Sequence, residues 1–266
     1  MQSRSRRYWL SLCSFWGSSL EAELEYQLNA VVELLSVLGN LAGSVFVLGL
    51  LVGPQRQIGG WSWESALLVL GIYTVLDGVS SCVLQPNLSR IVNHVQNGTL
   101  DYVLLKPIDS QFWLSTRNLS PWGLPGVVAG LALMAWATLQ QGIKVSAANL
   151  MLTGTLLLSS MLILYSLWFL LASLSIWFVK IWNATEVLRY VLVAGRYPVQ
   201  AYPPGLRILF TFVLPVAFLT TVPAQALLGE ASWTWSLGSL AVAAVSLLGT
   251  RLFWQFALRH YTSASS

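Results

Sequence analysis

The sequence predicts an all-α integral membrane protein with six transmembrane helices, and three observations carry that prediction. Hydrophobic residues make up 56% of the 266-residue chain and charged residues only 9%, where a soluble domain carries about 25% charged residues. The apolar residues fall in long runs, each able to cross ~30 Å of hydrocarbon at about 1.5 Å per residue. Lysine and arginine gather between alternate runs, which is the bias that orients membrane proteins. The net charge of +4 therefore speaks first to orientation and only weakly to nucleic acid, which is not an expected partner. Cys13 and Cys82 are far apart and have neither disulfide-framework nor zinc-site spacing.

The chain opens with a basic stretch, Arg4, Arg6 and Arg7, before an aromatic-rich segment. Tyr8, Leu12, Trp16, Leu20 and Leu24 recur every four residues, with Ser11, Ser14, Ser18, Glu21 and Glu25 between them. That pattern predicts an amphipathic helix within residues 1–29, lying in the lipid headgroup layer. Glu21, Glu23 and Glu25 stand where a signal peptide would be cleaved, so the helix is read as retained.

A transmembrane domain is predicted over residues 30–258. Its first span covers about residues 30–52 and is closed by Gly53-Pro54, with Glu33 near the inner end, within reach of the headgroups. The second covers about 64–85, with Trp61 and Trp63 as interfacial anchors. The third covers about 121–141 and the fourth about 149–179, longer than a bilayer needs. Small residues at Gly39, Gly43, Gly49, Gly123, Gly126 and Gly130 allow helices to approach closely.

Between the second and third spans lies a polar insert, residues 87–120. Leu88, Ile91, Val92 and Val95 form a stripe of helical period. Asn97-Gly98 supplies a left-handed turn, Thr99 is placed to cap a second short helix with Asp101 in its first turn, and Pro107 stops that helix. Residues 87–108 read equally well as a docking element and as a solvated loop whose stripe lies on the lipid interface.

Two courses are open for residues 180–229. Hydropathy alone makes 180–204 a cytosolic loop and 206–228 the fifth span. Alternatively, residues 180–197 climb the membrane and 203–229 form a re-entrant hairpin from the outer face, broken at Pro215 and Pro223 and entered through Pro203. The last span, about 233–258, leads to a polar tail, residues 259–266. The loop course places 12 lysines and arginines inside against 2 outside; the hairpin course places 9 against 4, with Arg189 in the membrane. Both put the two termini and the insert in the cytosol.

Chemistry is narrowed mostly by exclusion. Lys106, Lys144 and Lys180 follow Leu105, Ile143 and Val179, so no P-loop lysine exists. No metalloprotease or nucleophile-elbow motif is present, and His94 and His260 are read as exposed polar residues. Asn87, Asn97, Asn118 and Asn183 begin sequons on or near the cytosolic side, where they are chance. Asp77 lies eight residues before Gln85, ~12 Å into the membrane, and on the hairpin course Arg189 lies ~13 Å in, nine past Lys180. The matched depths make Asp77 and Arg189, with Glu186 nearby, candidates to pair or to line a pathway. The competing expectation leaves Asp77 bonded to its own helix and Arg189 in a loop.

Short motifs in a fixed order complete the reading. They are Asn97-Gly98-Thr99-Leu100-Asp101 with Leu104-Leu105-Lys106-Pro107-Ile108, then Arg196-Tyr197-Pro198 with Tyr202-Pro203. Leu214-Pro215-Val216-Ala217-Phe218, Pro223-Ala224 and Leu228-Gly229 follow. On these the chain resembles the membrane permease subunits of type-2 ABC exporters, in the branch of viologen and multidrug permeases. The resemblance implies a half-transporter in a bacterial inner membrane that works as a homodimer or beside a similar permease. A separate ATPase would hold ATP and magnesium, leaving no cofactor in this chain. It also implies that residues 87–108 are the coupling helix, with Arg90, Gly98, Thr99, Asp101, Lys106 and Pro107 toward the ATPase, and that the hairpin course is followed. The rival functions are an ion- or proton-coupled carrier, or a membrane-embedded enzyme using Asp77, Glu186 and Arg189.

Overall fold

A computed structural model describes residues 4–24, 27–52, 57–143, 145–178, 188–190 and 192–262. The protein is an all-α integral membrane protein, built around α3 (Trp63–Val79). Ser62 caps this helix by accepting from the Ser65 amide at 3.2 Å, and an unbroken apolar run from Ala66 to Ile72 lies buried along it. A helix hydrophobic all round is either buried in protein or faces lipid, and here protein covers it. α2 (Gln27–Val52), α7 (Leu124–Gln140) and α8 (Ala147–Ser173) pack around it.

The α3–α7 contact is a seam of glycines. A Cβ added at Gly130 would lie 2.7 Å from both the Gly71 carbonyl oxygen and the Val75 nitrogen, and one at Gly78 would lie 2.6 Å from the Val127 nitrogen. Only glycine lets two backbones come this near. Gly39 and Gly43 differ, since nothing lies within 4 Å of an added Cβ at either.

Beyond α3 the helix does not end. It widens into a π turn, Ser80–Leu84, and continues as α4 (Gln85–Gln96), making one helix of 34 residues. Pro86 explains the turn, because it lacks the amide that would bond the preceding turn. The insert therefore begins as an extension of the second span. It goes on through α5 (Leu100–Leu104) and α6 (Ser110–Thr116) before Pro121 starts the turn into α7.

α1 (Arg4–Leu24) lies against the insert. The Trp16 Nε1–H donates to the Thr116 carbonyl at 3.2 Å, the Arg117 guanidinium sits 4.8 Å over the Phe15 ring, and the Tyr8 and Phe112 rings meet edge to face at 4.8 Å. Part of its amphipathic stripe is therefore turned to protein, while Trp9 and Leu10 face outward.

The loop between α2 and α3 carries a two-stranded hairpin, β1 (Gln57–Ile58) and β2 (Trp61–Ser62). Trp61 is 8% exposed and donates to Gln200 Oε1 at 3.1 Å, so it is locked inside the protein and is not the lipid anchor expected from sequence.

The region expected to hold the hairpin contains two helical arms. α9 (Pro204–Ile208) with its π turn Leu209–Val213 meets a second arm, the π turn Ala217–Thr221 and α10 (Val222–Leu228), at 76° across Leu214-Pro215. Pro203 precedes the first arm and Pro223 sits in the first turn of α10. The second arm is buried against α8, where Ser160 donates to the Phe218 carbonyl at 2.9 Å; Phe212 and Val213 on the first arm are exposed. α11 (Trp233–Arg259) completes the bundle and is joined to α8 through Ser159 and Ser239, 3.0 Å apart.

Among the described residues, five helices are long and apolar enough to cross a membrane, and six if the bent pair counts as one span. The fifth crossing of the hairpin course would use residues 180–197, and of these 180–187 and 191, including Glu186, lie outside the described residues.

Candidate functional site

Two features merit a functional reading, the insert and a polar cleft between α2 and α3. In the insert, Leu88, Ile91 and Val92 are fully buried against α6 and α8. Leu100 and Val103 of α5 are buried as well. The stripe therefore faces the protein's own core and not a lipid interface. What remains outside is a blunt tip with Tyr102 71% and Leu105 81% exposed, beside Lys106 and Pro107.

The expected coupling residues take different places around that tip. Gly98 adopts the left-handed conformation (φ 67°) that turns the chain from α4 into α5. Thr99 does not cap α5: its backbone is already helical and its hydroxyl bonds His94 Nδ1 at 2.8 Å. The hydroxyl is thus engaged with that ring and not with an α5 amide. Arg90 donates to Asn118 Oδ1 at 3.0 Å, next to a paired Asn87–Asn118 link that ties α4 to the end of the insert. Lys106 lies 5.4 Å over the Trp113 ring, and Asp101 stands in the first turn of α5.

A second set of residues fixes the insert to the bundle. Asp109 caps α6 by accepting from the Phe112 amide at 3.0 Å, and it pairs with Arg251 of α11 through two bonds of 2.6 and 3.1 Å. Arg251 also donates to Gln111 Oε1, whose amide group donates to the Tyr165 hydroxyl of α8. Burial pushes the Asp109 carboxyl up, but the Arg251 guanidinium and the α6 amides outweigh it and hold it below the usual carboxylate range.

Sequence reasoning missed this clamp. The signal for Asp109 was an Asp-Ser-Gln-Phe start to a helix, and the signal for Arg251 was a cation inside the last apolar run. A depressed carboxyl contributes stability above its unfolded pKa of about 3.9 and loses it as pH falls through the folded value. Wild-type protein is thus expected to lose more melting temperature below about pH 4 than Asp109→Asn does. The pair is partly exposed, so its worth at neutral pH is about 1 kcal/mol or less. Equal acid sensitivity of the two proteins in a thermal melt would remove this role.

The cleft, of ≈290 Å³, lies among α2, α3, the start of α7 and the segment holding Arg189 and Arg196. Glu33, Asn40 and Ser44 line it from α2, and Tyr73 and Asp77 from α3. Glu33 is thus turned into the cleft, where a headgroup contact was expected. Arg196 Nη1 donates to Ser44 Oγ at 3.1 Å and its guanidinium lies 5.2 Å over the Tyr73 ring, while its buried Nε–H has no acceptor. Both Arg189 and Arg196 are near enough to act electrostatically on Asp77.

The cleft therefore brings Asp77 and Arg189 to one wall-lined space, but the ion pair found among the described residues is Arg251–Asp109 and not Asp77–Arg189. Arg196, which lies in a cytosolic loop on one course and at the end of the fifth crossing on the other, is the better anchored of the two arginines. Among the described residues no group of three histidine, cysteine or carboxylate side chains could hold a metal ion.

Comparison with known proteins agrees with a membrane transport component. Among curated proteins none matches the chain by sequence. A family model described as "ABC-2 family transporter protein" matches residues 38–265, which takes in α3, the insert, the cleft arginines and both arms of the bent pair. On that match, covering most of its length, the chain belongs to the ABC-2 family of transporter proteins.

Proposed function

We propose that the chain is the permease subunit of an ATP-driven exporter, a transport component without its own nucleotide site, coupled through residues 87–108 to a separate ATPase that binds ATP and magnesium. One observation carries the reading: Tyr102 and Leu105, with Leu104 less exposed beside them, stand out from a tip whose Leu100 and Val103 are locked into the bundle. A pair of large apolar side chains presented on a fixed frame is what a docking contact needs. The Asp109–Arg251 clamp then links movement of the docked insert to α11, and the continuous helix through Ser80–Leu84 links it to α3.

In this reading two permeases, identical or similar, form the pathway, and the cleft of Asp77 and Arg189 opens onto it. The subunit sits in a bacterial inner membrane with both termini and the insert in the cytosol, on the side of the ATPase. The bent pair 203–229 enters from the outer face as a re-entrant element. The viologen and multidrug permeases are the relatives that its motif order fits best.

A mild-detergent pull-down of the tagged chain from its own membranes tests the proposal. A co-eluting nucleotide-binding subunit is expected. Its absence even after cross-linking would leave the permease without a motor and turn attention to Asp77 as the centre of a coupled carrier.

A further inference from the structure

The polar cleft holds charges of both signs, Glu33 and Asp77 against Arg189 and Arg196, and among the described residues these four make no ion pair with one another. Ionised groups among membrane spans are costly unless something compensates them. The buried Arg196 Nε–H, which has no acceptor, marks one place where compensation is missing.

Arg196 and Glu33 lie toward opposite ends of the cleft, while Arg189 shares a wall with Asp77. Arg196 is held at the level of Ser44 and Tyr73. Asp77 is four residues beyond Tyr73, about 6 Å by helix rise. Glu33 lies eleven residues before Ser44 on the antiparallel α2, further toward the same end.

We propose that the cleft binds a short zwitterion, with its anionic group at Arg196 and its cationic group toward Asp77 and Glu33. The inference rests on the permease reading and gives its pathway a substrate class. The space of ≈290 Å³ is large enough for a headgroup-sized solute. A neighbouring open hollow shares Ser36, Asn40, Ser44 and Arg196 and adds Leu35 and Val47, an apolar exit that an acyl chain could occupy. Two sources offer this chemistry, a phospholipid with an ethanolamine headgroup and a free zwitterion of the same size.

The test uses the full-length chain in detergent micelles and three probes. These are phosphatidylethanolamine labelled on its acyl chain, phosphatidylglycerol labelled the same way, and unlabelled phosphoethanolamine as competitor. The zwitterionic lipid is expected to bind at least tenfold more tightly than the anionic one, and Asp77→Asn and Arg196→Gln each to weaken it about tenfold. Displacement by phosphoethanolamine assigns the site to a free zwitterion; binding without displacement assigns it to the lipid.

Equal binding of the two lipids, binding unchanged in both variants, or no binding at all overturns the proposal. The lipid preference is read on wild-type protein, so a misfolded variant leaves that arm decisive. ATPase recovery from the same membranes reports separately on the permease reading. An intact ATPase complex that lacks the zwitterion preference sinks this inference alone.

Discussion

Changing Tyr102 and Leu105 to glutamate is expected to lower recovery of the ATPase by roughly a hundredfold while the membrane protein itself stays folded. These side chains are 71% and 81% exposed, so the isolated permease loses no core packing when they change. Burying one large apolar side chain in an interface is worth about 1.5–3 kcal/mol, and 1.4 kcal/mol is tenfold in affinity. A carboxylate in each position also leaves a charge to be desolvated on docking. Lys106→Ala serves as the contrast. Its ammonium lies at the rim over Trp113, and exposed charges contribute little, so a change of a few fold at most is expected. Quantitative pull-down against a fixed amount of permease reads both. Recovery unchanged in the Tyr102→Glu, Leu105→Glu double variant would place the contact elsewhere on the insert.

Gly130→Val carries the largest expected cost to stability. The new Cβ would meet the Gly71 carbonyl and the Val75 nitrogen, both at 2.7 Å, and neither is the movable end of a side chain. α3 and α7 must therefore separate along a seam that Gly78, Gly123 and Gly126 also hold closed. Overpacking of this kind costs about 3 kcal/mol or more, enough to deplete folded protein. Gly130→Ala is expected to act in the same direction, since it carries the same Cβ. Gly39→Ala and Gly43→Ala have open space around the added atom and are expected to stay within about 0.5 kcal/mol of wild type. Thermal denaturation of detergent-purified protein separates the two groups. Equal tolerance at Gly130 and Gly39 would contradict the seam.

Much of this architecture was legible because a bilayer imposes long apolar runs and a helical insert imposes its own period. The four early spans, the Gly98 turn and the breaks at Pro203 and Pro215 all follow from residue types whose backbone preferences are strong. Partners distant in sequence were not legible. Nothing in the local pattern says that Gly123, Gly126 and Gly130 close on α3 while Gly39 and Gly43 face open space. Trp61 is drawn inward by Gln200, 139 residues away, although its position at a span end reads as an anchor.

The same limit applies to the sites. The period of Leu88, Ile91 and Val92 located an apolar face but not what it meets, and the meeting proved to be with the protein's own α6 and α8. That burial leaves Tyr102 and Leu105, which no periodicity singles out, as the proposed docking surface. Depth along two helices placed Asp77 and Arg189 in one cleft, yet it could not reveal Arg196, whose anchor is Ser44 on α2.

The most direct test of the coupling claim is a photo-reactive residue in place of Leu105, activated in native membranes, with the adduct identified by mass spectrometry. The account predicts a cross-link to a nucleotide-binding subunit, lost when the same group is placed at the open α2 position Gly39. An adduct confined to lipid, or to a second copy of this chain, would contradict it.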